Sequence, residues 1–336
     1  PTQTSSLGTG RTAVAISSGF HHTCAVLDDG SVTCWGLGWG LGDGTWTDRN
    51  TPTQTSSLGT GRTAVAISSG FYHTCAILDD GSVSCWGYND DGELGDGTTT
   101  NRSTPTQTSS LGTGRTAVAI SSGTFHSCAV LDDGSVSCWG FNGNSELGDG
   151  TNTDRSAPAQ TSSLGTTTNP RTAALSERDF DNDGILNIFD VHQNLDFRET
   201  TISSGDYLSC AILDNGSVSC WGWNNYGSIG DGTTTDRHIP TQTSSLGTGR
   251  TAIAISSGEL HNCAILDNGS VSCWGINWFG QLGMGTVGSK NVPTQTSSLG
   301  TGRTAVAISS GDNHNCAILD DGSVSCWGQN GGQLGD

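Results

Sequence analysis

Apolar residues along the chain fall in short runs. Ala13-Val14-Ala15-Ile16 is ended by Ser17-Ser18-Gly19, and the runs His22 to Leu27 and Val32 to Trp35 flank Asp28-Asp29-Gly30. Runs of four to six residues with β-branched members, bounded by Gly, Ser and Asp, predict strands rather than helices. Pro1-Thr2-Gln3-Thr4 suits an edge strand, because proline has no N–H to give a central ladder. No window carries a sustained 3.6-residue apolar period, apart from a short helix that the segment 174–201 would accommodate.

The pattern then returns. The string Pro-Thr-Gln-Thr-Ser-Ser-Leu-Gly-Thr-Gly-Arg-Thr-Ala-Val-Ala-Ile-Ser-Ser-Gly occupies 1–19, 52–70, 105–123 and 293–311, with a Val-to-Ile variant at 240–258. Cutting before each repeated Pro gives units 1–51, 52–104, 105–157, 158–239, 240–292 and 293–336, with an insertion at 174–201 in the fourth. Four short strands every ~50 residues, joined by Gly-rich turns, are the mark of a blade. The expected fold is all-β, a single β-propeller domain over 1–336 made of four-stranded blades. Six units fit a six-bladed ring or an incomplete seven-bladed one. The chain opens in mid-pattern at Pro1, as expected of a piece of a longer precursor.

All 12 cysteines share one spacing. Cys24 stands with Cys34, Cys75 with Cys85, Cys128 with Cys138, Cys210 with Cys220, Cys263 with Cys273 and Cys316 with Cys326. A three-residue Asp-Asp-Gly loop, with Gly in the left-handed position, is a favoured hairpin connection. It sets Val26 opposite Val32, Ala25 opposite Thr33 and Cys24 opposite Cys34. Facing residues lie about 4.5–5.5 Å apart at Cα, within disulfide reach. One disulfide hairpin per blade is therefore expected, each contributing roughly 2–3 kcal/mol, and six of them imply an oxidising compartment. The competing reading is zinc. His22, His73, His126, His261 and His314 each precede the first cysteine by two, and His with two Cys makes three ligands. Leu208 takes the His position in the fourth unit while Cys210 and Cys220 remain. The cysteine pair does not need the histidine, so disulfides are the stronger reading. The histidines are expected to be framework side chains hydrogen-bonded inside their blade.

Charge narrows the list of partners. The net charge is −19, with 13 basic against 32 acidic residues. Without a basic run the chain is a poor ligand for nucleic acid, whose phosphates need clustered Lys and Arg. No apolar stretch approaches the roughly 20 residues of a membrane-spanning helix. Apolar residues at 32%, with 50 Gly besides, suffice for packed blades.

The insertion carries Asp179, Asp181, Asp183, Gly184, Ile185, Asn187 and Asp190 at the offsets of a calcium loop. Calcium takes six to eight oxygens, here from the three aspartates, the Ile185 carbonyl, Asn187 through water and Asp190, with Gly184 at the sharp turn. The segment resembles dockerin and thrombospondin type 3 loops, which likewise end on Asp. It differs from them in standing alone rather than in pairs or arrays. One calcium ion is the expected cofactor, and the blade it interrupts should be the least stable without it. A second acidic pattern, Gly-Asp-Gly-Thr-x-Thr-Asp/Asn-Arg at 42–49, 95–102, 148–155 and 230–237, is better read as turns closed by Asp–Arg pairs than as a metal site.

The motif at Gly258–His261, Asp267–Gly275, Asn277 and Gly280–Gly283 resembles the regulator of chromosome condensation repeat, and the resemblance covers all six units. It implies a propeller, usually of seven blades. The paired cysteines would make this a secreted variant, since intracellular relatives do not need them. Guanine-nucleotide exchange on a small GTPase, the best-known activity of that family, is the alternative function.

The units differ mainly in two stretches, one after Ser-Ser-Gly and one after Cys-Trp-Gly. Of 22 aromatics, six are the repeated framework Trp and three lie in the insertion; the rest occupy these stretches or the adjoining linker. Loops that vary over a constant frame and carry Trp and Tyr predict a recognition surface. The candidate partner-binding residues are Phe20, Trp39, Tyr72, Tyr88, Phe125, Phe141, Tyr207, Trp223, Tyr226, Trp278 and Phe279. The bland alternative is that they pack blade against blade. No nucleophile elbow or phosphate loop is present, and the cysteines are committed, so no enzyme is expected. The sequence thus points to an extracellular or cell-surface scaffold that binds a protein or glycan. A purely structural module of a larger surface protein is the third reading.

Overall fold

The computed structural model describes residues 4–164, 202–332 and 334. Within them 23 strands form six antiparallel sheets, and the fold is a β-propeller of six blades. The first blade has β1 (Ala13–Ser18), β2 (His22–Leu27), β3 (Val32–Gly36) and β4 (Arg49–Gln54), paired in chain order. The other blades span 64–107, 117–160, 202–242, 252–295 and 305–328, the last with three strands among the described residues. The chain divides into two compact units. One holds the first three blades; the other holds the last three with the loop 144–152.

Blade and sequence unit are offset by one strand. Thr53 of β4 pairs with Cys34 of β3, so the Pro-Thr-Gln-Thr segment closes the blade before it rather than opening its own. Pro52 thereby lies on the outer edge of its sheet, where a missing N–H breaks no ladder. The central hairpin keeps the expected register, with Val26 opposite Val32 and Cys24 opposite Cys34. Gly30 takes φ +73° in its turn, a conformation that favours Gly.

Every expected disulfide is present. Cys24 is bonded to Cys34, Cys75 to Cys85 and Cys128 to Cys138 in the first unit. Cys210 is bonded to Cys220, Cys263 to Cys273 and Cys316 to Cys326 in the second. The Cα atoms of each pair lie 4.1 Å apart, and no cysteine is left over. In the fourth blade the first strand is only Ile202–Ser204 among the described residues, half the length of Ala64–Ser69.

Alternate residues of a strand face opposite sides of its sheet, so a blade has two sides to bury against its neighbours. In the first unit Cys24, Val26, Val32, Cys34 and Leu41 of one blade pack on Ala64, Ala76, Leu78 and Trp86 of the next. The second and third blades repeat this packing, and clusters of the same make-up lie within the other unit.

A polar seam runs through these contacts. The Gly40 carbonyl accepts from the Trp86 indole N–H at 2.8 Å and from the Thr74 hydroxyl at 3.0 Å. Its two lone pairs are both used. The Thr74 proton being spent there, His22 Nε2 donates to Thr74 Oγ1 at 2.8 Å. The Glu93 carbonyl serves Trp139 and Ser127 in the same way, and His73 bonds Ser127. In the second unit the Gln281 carbonyl serves Trp327 and Asn315, and His261 bonds Asn315. His22, His73 and His261 are framework groups, but they bond across to the next blade and not inside their own as the sequence suggested. The cause is that β2 and its counterparts turn the rings toward the neighbour. Where Leu208 replaces the histidine, Asn262 Oδ1 is left buried with no partner. The missing donor explains the orphan.

Burial holds these imidazoles neutral. It lowers His22 and His261 to about 4 and His73 and His126 to about 3, against an ordinary 6.5. The unfolded chain takes up protons at these sites below about pH 6.5, whereas the folded chain does so only near 3 to 4. Their contribution to stability is therefore full above pH 6.5 and lost as pH falls. His73→Leu is expected to lower stability at pH 7 by about 1–2 kcal/mol and to flatten the decline between pH 6.5 and 4, read from denaturant melts across that range. Thiol titration in denaturant should find no reactive cysteine before reduction and all 12 after it.

Candidate recognition surface

Strands β1 and β3 run in the same direction, so the segments that follow them emerge at the same end of the blade. These segments are the two variable stretches. They are tied to each other: the Leu37 N–H donates to the His21 carbonyl at 2.9 Å, as Tyr88 does to Tyr72 and Trp223 to Tyr207. The opposite end carries half-exposed ion pairs such as Arg11 with Asp28 and Asp29 and Arg62 with Asp79 and Asp80. Pairs so open to water add little stability.

Side chains fix the loop after the third strand. Asn89 is fully buried, donates to the Thr98 and Thr100 carbonyls and accepts from the Leu94 N–H. Asn224 and Asn277 do the same in their blades. Farther along, Arg49 donates to Asp43 at 2.7 Å, Arg102 to Asp96 at 2.8 Å, and Arg237 pairs with Asp231. Burial works to raise the Asp43 carboxyl, but its bonds to Thr45 and Arg49 outweigh it and hold the group below the usual carboxylate range. The second acidic pattern is thus a set of Asp–Arg turns. In the first blade Gly38 stands where Asn89 would be. A 3-10 turn over Gly38–Gly40 replaces the asparagine clamp and turns Trp39 outward.

In the first unit eight rings from the variable segments and the adjoining linker meet. Phe20 stacks on Phe71 at 4.3 Å, and Phe71 contacts Phe125 at 5.7 Å and Tyr72 at 4.3 Å. Tyr72 leads to Tyr88, Tyr88 to Trp39, and Trp39 to Trp46 at 5.0 Å. His21 lies against Phe20 and Tyr72. Phe20, Trp39 and Trp46 remain exposed. In the second unit Tyr207, Trp223, Tyr226 and Trp278 form a chain of edge-on contacts, 5.8, 5.7 and 5.1 Å in turn. Nine of the eleven candidate aromatics are brought into these two groups. Ring contacts among the described residues leave out Phe141, which lies over Gly143, and Phe279, which stands exposed. His21, Phe71 and Trp46 were not among the candidates. Phe71 occupies the repeat position of Phe20, and that correspondence would have found it.

The two units differ in charge at the first variable position. Phe20, Phe71 and Thr124 occupy it in one, Asp206, Glu259 and Asp312 in the other. Burial and then Asp312 push the Glu259 carboxyl up, and burial with Asp206, Glu259 and Glu146 raises the Tyr207 phenol. Beneath the first group lies Glu93, fully buried. Its Oε2 accepts from the Asp91 N–H at 3.0 Å, while Oε1 has no partner. Gln281 at the same repeat position donates to Asn313 at 3.0 Å. Phe125 replaces that asparagine in the blade that follows Glu93 and offers no polar atom.

The calcium candidates Asp179, Asp181, Asp183, Ile185, Asn187 and Asp190 lie outside the described residues. Among the described residues no three His, Cys, Asp or Glu are placed to hold a metal, and no helix is long and apolar enough to cross a membrane.

Six disulfide-closed blades, each with its variable loops at one end, define a β-propeller scaffold. Residues 13–38, 64–93, 117–146, 200–228, 252–281 and 305–332 match the regulator of chromosome condensation (RCC1) repeat. Most of these matches begin at the first strand of a blade. The chain belongs to the RCC1 repeat family. The ultraviolet-B receptor UVR8 of Arabidopsis thaliana is 30% identical over 329 residues, 97% of this chain and 67% of the receptor. The human E3 ubiquitin-protein ligase HERC2 is 29% identical over 330 residues, 96% of this chain but 6% of the ligase. A chain in the crystal structure of Kap60 bound to yeast RCC1 (Prp20) superposes with a TM-score of 0.72 at 18% identity, covering 94% of this chain and 69% of that one. That likeness speaks to the fold.

Burial, with Asp91 nearby, raises the Glu93 carboxyl to about 8 from an ordinary 4.5. The folded chain keeps a proton there that the unfolded chain has lost, so stability falls as pH rises from about 4.5 to about 8. Glu93→Gln is expected to remove that slope and to raise the melting temperature at pH 9 above that of the wild type, read by circular dichroism.

Proposed function

We propose that the chain is a non-catalytic propeller scaffold that binds a protein or glycan through its aromatic loops, in an extracellular or cell-surface setting. The observation that carries this reading is the eight-ring group of the first unit. Its rings come from segments that vary between blades, and three of them are exposed on a frame that barely varies. Rigid aromatic area on clamped loops is the chemistry of binding hot spots, because little side-chain freedom is lost on docking. The structure of yeast RCC1 with Kap60 supports protein binding as a use of this fold. Six disulfides support export. Guanine-nucleotide exchange follows from family membership alone, and six paired cysteines argue against the intracellular setting it needs. Stimulated release of a fluorescent guanine nucleotide from a small GTPase would favour it over our reading.

The test is a variant with Phe20→Ala, Trp39→Ala and Tyr72→Ala on panels of immobilised glycans and peptides. We expect a fold unchanged by circular dichroism and at least tenfold weaker capture on every panel member that the wild type binds. Equal capture by both proteins removes the aromatic surface as the binding site. Calcium is proposed for the insertion from its spacing of oxygen ligands. Calorimetry should give a saturable heat with Ca²⁺ for the wild type and none for Asp183→Ala. No heat in the wild type ends the calcium reading.

A further inference from the structure

The chain holds three Asn-x-Ser motifs of the kind that accepts N-linked glycan, Asn101-Arg102-Ser103, Asn215-Gly216-Ser217 and Asn268-Gly269-Ser270. The structure sets two of them apart. Asn215 and Asn268 stand exposed in the central hairpin turns of the fourth and fifth blades. Asn268 Oδ1 accepts from the Ser270 N–H at 3.1 Å and from the Ser270 hydroxyl at 2.7 Å. Asn215 holds Ser217 in the same way, at 2.9 and 2.7 Å. Neither Nδ2 group has a hydrogen-bond partner among the described residues. The turn does not itself call for asparagine. Asp29, Asp80, Asp133 and Asp321 hold the same serine in the other four blades, and each also pairs with an arginine. Asparagine gives up that pair and presents an amide nitrogen instead. Asn101 is placed differently. It is half-buried, and its Oδ1 takes the Asn89 N–H at 2.6 Å as part of the loop clamp. Ser103 lies in the strand Arg102–Gln107. Extended backbone sets residues two apart roughly 6.5 Å from each other, beyond hydrogen-bond reach.

We propose that Asn215 and Asn268 are acceptors for N-linked oligosaccharide and that Asn101 is not. An acceptor must present its amide nitrogen unshared, on the surface, and beside the hydroxyl two residues on. The two turns meet all three requirements, and the Asn101 motif fails the last two. The donor is an oligosaccharide carried on a lipid diphosphate. Nδ2 forms a bond to C1 of the first sugar and the C1–O bond to the diphosphate breaks. Nδ2 gives one proton to a base of the transferase, and the lipid diphosphate leaves. The inference rests on the export reading, because donor and transferase meet a chain as it is exported. Both turns lie at the end of the blade opposite the variable loops, so glycan on them leaves the aromatic surface of their unit uncovered.

Translation of the full chain behind a secretory leader, with microsomes that hold donor and transferase, tests this. The translocated chain is expected to carry two glycans, read as two steps of gel mobility that an endoglycosidase removes. Glycopeptide mass spectrometry should place them on Asn215 and Asn268. Asn215→Gln or Ser217→Ala should remove one step, Asn268→Gln or Ser270→Ala the other, and Asn101→Gln neither. The serine variants keep both asparagines, so they separate loss of the motif from loss of the side chain. A translocated chain whose cysteines pair while Asn215 and Asn268 stay bare overturns this inference and leaves the export reading standing. Glycan on Asn101 in place of the two turns overturns it as well. Cysteines that stay reduced in the lumen overturn the export reading, and this inference with it.

Discussion

No blade of this protein can bury its own faces. Each is a single sheet, and a single sheet has two sides but no interior. Stability therefore resides between blades, and the shared carbonyl marks where neighbours lock. One backbone oxygen of a loop takes an indole N–H and a hydroxyl or amide donor from the next blade, and a histidine buttresses that donor from behind. Trp, His and the small polar residue beside the first cysteine recur because the first and last satisfy a single acceptor, and the histidine the hydroxyl or amide that serves it, in a place that water does not reach. Exchanging one without the others leaves an unpaired polar atom, as Asn262 opposite Leu208 demonstrates.

This dependence explains what the sequence disclosed. Hairpin register followed from local chemistry, since the Asp-Asp-Gly turn and the Cys spacing both fix Cys24 opposite Cys34. The blade boundary was less legible. A repeat has no intrinsic phase, and only the pairing of Thr53 with Cys34 shows that the Pro-bearing strand belongs to the preceding sheet. Partners across the seam were hidden for a related reason. Period-two patterning reports which side of a strand His22 occupies, but not that Thr74, some fifty residues on, waits there. The orphaned oxygen of Glu93 required both its own loop and the Phe125 of the next blade to be in view.

The candidate surface shows the same division of labour between frame and loop. Buried asparagines and Asp–Arg pairs consume the polar groups of the loops, which leaves their rings free to face outward in fixed positions. Where the asparagine is missing, at Gly38, a tighter turn performs the task and exposes a tryptophan that the other blades of that unit lack. The two units share this construction yet present different surfaces, apolar and stacked in one, acidic at the margin in the other. Family membership supplies the frame, while the specificity of this chain lies in the segments that its repeats do not share.

The disulfides carry a consequence for how the protein is made. Twelve nearly equivalent sulfurs admit a great many wrong pairings, and near-identical repeats are prone to exchange strands with one another. Here the correct partner is always the nearest one along the chain, ten residues away. Each hairpin can be sealed as soon as it emerges during synthesis, before its look-alike exists to compete.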